Sequence, residues 1–296
     1  MRFRDLIALT VLMMPLGSTV AAEVKPETAV KAHAQSPSAA KKAAKAAAGA
    51  AAAYSVASVA AVSSAPVAEE KNQRCLKAVS AQQLAEAETL CRQALAEAEK
   101  SAPNSKHHAT ALSNRAALLA QQGKLAEAET DYKRALAMYE SALGPNHLAV
   151  ATSASQLAGF YYQNDRYAEA EPLYERALAI DERALGLDHP EVAKDIYNLA
   201  NVQALLGKHE EANTAYKRSL SIREKVLGPN DAAVARSLSG MGVNLAMAGH
   251  LNEAEQSLSR AAQIHEKNLG ADHPETLYCR NWLDKVRAQR LSALGQ

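Results

Sequence analysis

PEVAKDIYNLANVQALLGKHEEANTAYKRSLSIREKVLG, residues 190–228, decides how the rest of the chain is read. Val192, Ile196, Leu199, Ala200 and Gln203 keep helical spacing until Gly207 ends the run. A second run from His209 carries Ala212, Tyr216, Ser219, Leu220 and Ile222, and stops at Leu227-Gly228. Both runs are rich in Ala, Leu, Glu, Lys and Arg, the strong helix formers, and neither has an interior proline. The glycines suit the residue just past a helix end, where a left-handed backbone is needed. Pro190 fits a first helical position, with His189 before it as a cap. The stretch reads as helix, turn, helix.

The same text recurs every 42 residues, at Leu143-Gly144, Leu185-Gly186, Leu227-Gly228 and Leu269-Gly270. Glu127-Ala128, Glu169-Ala170, Glu211-Ala212 and Glu253-Ala254 keep step, as do Gly123, Asp165, Gly207 and Gly249. A fixed period of this size marks a stacked repeat. Ala116, Ala158, Ala200 and Gly242 share a slot in the first helix. In the second helix Ala128, Ala170, Ala212 and Ala254 share one, followed one turn on by Tyr132, Tyr174, Tyr216 and Leu258. Small residues opposite large ones let paired helices approach closely. The segments Leu185-Gly-Leu-Asp-His-Pro-Glu-Val-Ala193, Tyr197-Asn-Leu-Ala200 and Tyr167-Ala-Glu-Ala-Glu-Pro-Leu-Tyr-Glu-Arg-Ala-Leu-Ala-Ile180 resemble the kinesin-light-chain type of tetratricopeptide repeat. That resemblance implies an all-α fold, a right-handed α-solenoid of helix-turn-helix repeats, closed here by a C-terminal capping helix.

Four full repeats are expected at about 106–143, 148–185, 190–227 and 232–269, their first helices ending near 122, 164, 206 and 248. Residues 69–100 form a degenerate first repeat, since Leu84-Ala-Glu-Ala-Glu-Thr89 matches Leu125-Ala-Glu-Ala-Glu-Thr130. A capping helix is expected over 274–291, where Trp282 appears and Asp284 takes the small slot, followed by a tail at 292–296. The array thus covers 69–291.

Upstream of the array, residues 1–22 read as a signal peptide. Arg2 and Arg4 precede an apolar core from Leu6 to Leu16, and Val20-Ala21-Ala22 offers a cleavage site before Glu23. The core is shorter than the roughly 20 residues of a spanning helix. Residues 23–68 are rich in Ala, Lys, Ser and Pro, too poor in large apolar residues to build a core, and read as a disordered spacer. Export places the protein in a periplasm or outside the cell, with no stable membrane insertion after signal cleavage. Without residues 1–22 the chain holds 31 basic and 31 acidic residues. That balance argues against nucleic acid as the main partner.

Cys91 stands in the slot that holds Tyr in later repeats, and Cys75 lies in the helix before it. In an oxidising compartment a Cys75–Cys91 disulfide would staple the degenerate repeat, the alternative being two buried thiols. Cys279 is left over as a core residue.

Chemistry is hard to find. His147, His189 and His273 recur by period with Asp231 filling the slot once, which marks turn and cap residues. His209-Glu210-Glu211-Ala212-Asn213 starts like a helical zinc-protease motif but lacks the second histidine at Asn213. His265-Glu266 fails likewise at Leu269, and Gly240-Met241-Gly242 lies inside a helix without a preceding strand. The chain is therefore read as non-enzymatic, without metal or cofactor. The resemblance implies instead a concave groove lined by the first helices that binds a protein or peptide. Its candidate residues are Asn114, Gln121, Gln156, Tyr162, Gln163, Lys194, Tyr197, Asn198, Asn201 and Arg236. Asn and Gln carry both donor and acceptor and can pair with the backbone of an extended peptide. Asn114, Gln156 and Asn198 form a ladder broken at Gly240. On this reading Asn198→Ala with Asn201→Ala weakens capture without melting the array. The rival readings are a self-assembling structural protein, marked by concentration-dependent mass, and a cell-envelope tether, marked by loss of envelope association on deleting 23–68.

Overall fold

Residues 67–294 are described in the computed structural model. The signal peptide and all but the end of the spacer lie outside the described residues. Every regular element between 67 and 294 is an α-helix. The first, α1, is described from residue 67 to residue 80. It is followed by α2 (Leu84–Ser101), α3 (Lys106–Gln121), α4 (Leu125–Leu143), α5 (Leu148–Gln163), α6 (Tyr167–Leu185) and α7 (Pro190–Leu205). Then come α8 (His209–Leu227), α9 (Ala232–Met247), α10 (Leu251–Leu269) and α11 (Pro274–Leu294). The pairs α3/α4, α5/α6, α7/α8 and α9/α10 are the four full repeats, and α11 caps them. First helices end at Gln121, Gln163, Leu205 and Met247, a residue short of the expected bounds, because the next residue already acts as the C-cap.

Helix ends follow from side-chain chemistry. His147, His189 and His273 each accept a backbone N–H through Nδ1, from Ala149 (3.1 Å), Glu191 (3.2 Å) and Glu275 (3.3 Å). Asp231 accepts from Ala233 at 2.7 Å in the same slot. The four recurring residues are therefore N-caps. At the other end Gly186 sits at φ 90 and ψ 160, a region that a side chain would strain.

Each pair is locked by the small slot against the large one. Ala116, Ala158 and Ala200 are fully buried, and Tyr132, Tyr174 and Tyr216 are buried in the facing slot. In the fourth repeat Leu258 replaces the ring and Gly242 the alanine; a Cβ on Gly242 would lie 2.7 Å from Leu258 Cγ. In the degenerate first repeat the corresponding residues are Cys75 and Cys91, which are bonded to each other. A covalent link thus stands where the later repeats rely on fit.

Neighbouring repeats are joined on their outer side by ion pairs that recur with the period. Arg218 meets Glu182 at 2.6 Å and Arg260 meets Glu224 at 2.6 Å, with Arg176 on Glu140 in the same slots. Exposed pairs of this kind contribute little singly, about 0–1 kcal/mol each. One ion pair is different. Arg115 grips buried Asp131 with two bonds of 2.6 and 2.8 Å, in slots that hold Leu157 and Leu173 one repeat later.

A second slot changes chemistry from joint to joint. Near the end of each second helix stand Tyr139, Asp181, Arg223 and His265, and the positions equivalent to Asp195 on the next first helix hold Ser153, Asp195, Ser237 and Cys279. Tyr139 shares a 2.7 Å hydrogen bond with Thr110. Arg223 donates to the Ala233 carbonyl (2.9 Å) and the Ser237 hydroxyl (2.8 Å). His265 Nδ1 lies 3.2 Å from Glu275 Oε2.

Candidate functional site

First helices of successive repeats approach one another directly, α3 to α5, α7 to α9 and α9 to α11, while second helices pack chiefly against the first helices beside them. First helices therefore line the inner, shorter side of the stack. Their side chains are the surface on which a ligand of the groove would lie.

The structure divides the ten candidate residues of that wall into two groups. Gln156 and Asn198 are half-buried, Gln163 is exposed, and none of the three spends its amide on another described residue. Lys194 is half-buried and pairs with Glu191, one turn earlier on the same helix. Arg236 is half-buried, with Nη1 4.0 Å from Glu275 Oε1 and an enclosed Nε that has no hydrogen bond among the described residues. These five carry polar atoms toward the wall with capacity to spare.

The other five serve the array itself. Asn201 is 3 % exposed, and its Oδ1 accepts the Tyr216 hydroxyl at 2.6 Å. It is a core residue and not part of an open wall. The reason is angular: three residues past Asn198 turns a helix by about 300°, enough to carry Asn201 onto the side that faces α8. Asn114 is buried too, and its Nδ2 donates at 3.1 Å to the Asn72 carbonyl of α1. Gln121 is exposed but reaches the Val79 carbonyl at 3.3 Å. The N-terminal rungs of the ladder are thus already occupied by the preceding helix. Tyr197 is buried against Tyr216, with ring centroids 5.9 Å apart, and under the Arg223 guanidinium at 4.7 Å. Tyr162 is buried beside Tyr167, its centroid 5.7 Å away.

The ladder stops at Gly240 for a packing reason. Tyr216 reaches across from α8, so that a Cβ on Gly240 would sit 2.7 Å from its ring. No longer residue fits there without moving the ring.

Behind the wall lies an aromatic floor that the sequence pattern did not single out. Tyr162, Tyr197, Tyr216 and Tyr278 lie within electrostatic reach of one another, and burial pushes all four hydroxyls up. The Tyr162 hydroxyl is enclosed and has no hydrogen-bond partner among the described residues. Arg223, also unforeseen, is pushed down to about 10 by burial, because its partners are neutral oxygens and a ring. A charged residue in a slot otherwise holding Tyr, Asp and His was the available signal. Among the described residues no group of three or more His, Cys, Asp or Glu is placed to hold a metal ion, and no helix is long and apolar enough to cross a membrane.

The tetratricopeptide repeat model matches residues 78–141, 108–159, 150–225 and 195–267 in overlapping copies. The chain belongs to the tetratricopeptide repeat family. No curated protein matches it. Among solved structures it is similar to the nearly identical kinesin-light-chain TPR-like repeats from Podosopora anserina. The two are 21% identical with a TM-score of 0.60, over 68% of this chain and 96% of that one. BtubC (BKLC) from P. vanneervenii is 22% identical with a TM-score of 0.57, covering 72% and 92%. PilF of Pseudomonas aeruginosa is 22% identical with a TM-score of 0.54, covering 77% and 91%. These likenesses share the solenoid. They establish the array as kinesin-light-chain-like in fold, and its tetratricopeptide repeats imply a protein-interaction scaffold.

Proposed function

We propose that this array is an exported, non-catalytic scaffold that holds an extended peptide or a helix of a partner protein against its inner wall. The observation that carries this reading is the run Gln156, Gln163, Lys194, Asn198 and Arg236 on three successive first helices. Each keeps hydrogen-bonding capacity that the fold does not consume. Amide side chains so placed can pair with both the N–H and the C=O of a bound backbone, and the two cations add charge-assisted bonds. Export rests on residues 1–22, and the spacer read at 23–68, whose last two residues already belong to α1, gives the array reach. In that setting the Cys75–Cys91 bond persists.

Asn198→Ala with Lys194→Ala tests the wall without touching the core, unlike any variant that includes Asn201. A partner captured from envelope extract is titrated against both proteins. The double variant is expected to bind at least about tenfold more weakly, the equivalent of one or two hydrogen bonds, with unchanged helical content. Equal affinity would remove the wall from the interface.

A further inference from the structure

The joint between the second and third full repeats contains two carboxyl groups where the next joint sets Arg223 on Ser237. Asp181, in the last turns of α6, and Asp195, in the second turn of α7, set their carboxyl groups against each other across the joint. Asp195 is 1 % exposed and Asp181 is half-buried. Asp195 Oδ2 and Asp181 Oδ1 are both enclosed, and neither meets a donor among the described residues, so a proton on one of them is what would satisfy both. The one additional contact is weak, from the Ser155 hydroxyl of α5 to Asp195 Oδ1 at 3.4 Å. Among the described residues no arginine, lysine or histidine forms an ion pair with either carboxyl. Lys194 is the nearest cation in sequence, and it is tied to Glu191.

Two carboxylates set against each other away from water cannot both be ionised; one holds the proton and donates it to the other. We propose that the Asp181–Asp195 pair is a proton-operated lock on the joint between α6 and α7, closed while one proton is shared and released when that proton is lost to solvent. The groups facing the pair are few. Glu191 and Lys194 on α7, with His189 at its cap, act in opposite directions, and Tyr174 on α6 is neutral. Burial is the first cause that raises both carboxyls, and the facing partner raises Asp195 further, well above the usual carboxylate range. A raised folded value means that the stabilisation is present at low pH and is lost as pH climbs through that value. Lys194 and Asn198 ride on the same helix as Asp195, so the lock also sets where the middle of the inner wall stands. The inference does not depend on any partner, and its failure would leave the scaffold reading intact.

Hydrogen exchange on the full chain tests it, read at about pH 5 and about pH 8 and corrected for intrinsic amide rates. These conditions bracket the range in which buried carboxyls titrate. In the wild type, protection over 178–198 is expected to fall about tenfold or more on raising the pH, the effect of one pKa unit, while α9 and α10 stay unchanged. Asp195→Asn offers an amide donor that does not titrate, and should hold protection within about twofold across the same range. Asp181→Asn reverses the donor direction and should do the same, which keeps the test intact if one variant fails to fold. Protection in the wild type that ignores pH, or the same loss in both variants, would overturn the lock. So would full recovery at the higher pH on adding calcium or magnesium, which would make the pair a cation site.

Discussion

The Tyr216 hydroxyl and Asn201 Oδ1 meet at 2.6 Å inside the third repeat, where both residues are withdrawn from water. The contact joins the two helices of one pair and fixes the ring that also closes over Gly240. Tyr216→Phe leaves the Asn201 oxygen buried without this donor. A loss of about 1–3 kcal/mol in denaturant unfolding is expected, and Asn201→Ala should fall in the same range. Additive losses in the double variant would show that the two do not act together.

Gly240 invites the substitution that would complete the ladder, Gly240→Asn. It is expected to fail. Even Gly240→Ala places a Cβ 2.7 Å from Tyr216 Cε1, and such overpacking costs about 1–3 kcal/mol. Tyr216→Leu in the same chain should recover part of that loss, measured as the shift in unfolding midpoint.

Arg115 and Asp131 form an ion pair in slots that hold leucines one repeat on. Arg115 keeps access to water, so Asp131→Ala should cost about 1.5–3 kcal/mol, the loss of a hydrogen bond to a charged group. Replacing both with leucine should restore most of it, because the fold already packs Leu157 and Leu173 in that geometry. A double variant as damaged as the single one would mean that the pair determines structure there.

Reduction of Cys75–Cys91 should loosen the first repeat and little else. The bond closes a loop over a sequence separation of 16, for which chain entropy predicts about 3 kcal/mol. Exchange protection is expected to drop in α1 and α2 after reduction or in Cys75→Ala with Cys91→Ala. Protection in α7 to α10 should be retained, since each repeat contacts only its neighbours.

The period, the caps and the small-against-large slots make the fold legible in the residues alone, because 42-residue recurrence compares each position with its equivalents. The wall was legible only in part. Which residues belong to a helix is written in its pattern, but a step of three residues decides between wall and core, and that separated Asn198 from Asn201. Asn114 was lost for another reason. The carbonyl of Asn72 lies beside it, and no spacing within one helix announces what the preceding helix will present. Arg223 and the Asp181–Asp195 pair stand out only when the repeats are superposed and one slot is seen to carry a different residue each time.

That slot makes the modules unequal. Asp181 meets Asp195, Arg223 meets Ser237 and the Ala233 carbonyl, and His265 lies against Glu275 on the following unit, whereas Tyr139 bonds Thr110 within its own. A chain with the same units in shuffled order would set Asp181 before a serine or a cysteine and leave its seam without the matched carboxyl. The adjacency of the second and third repeats is thus written into the seam between them.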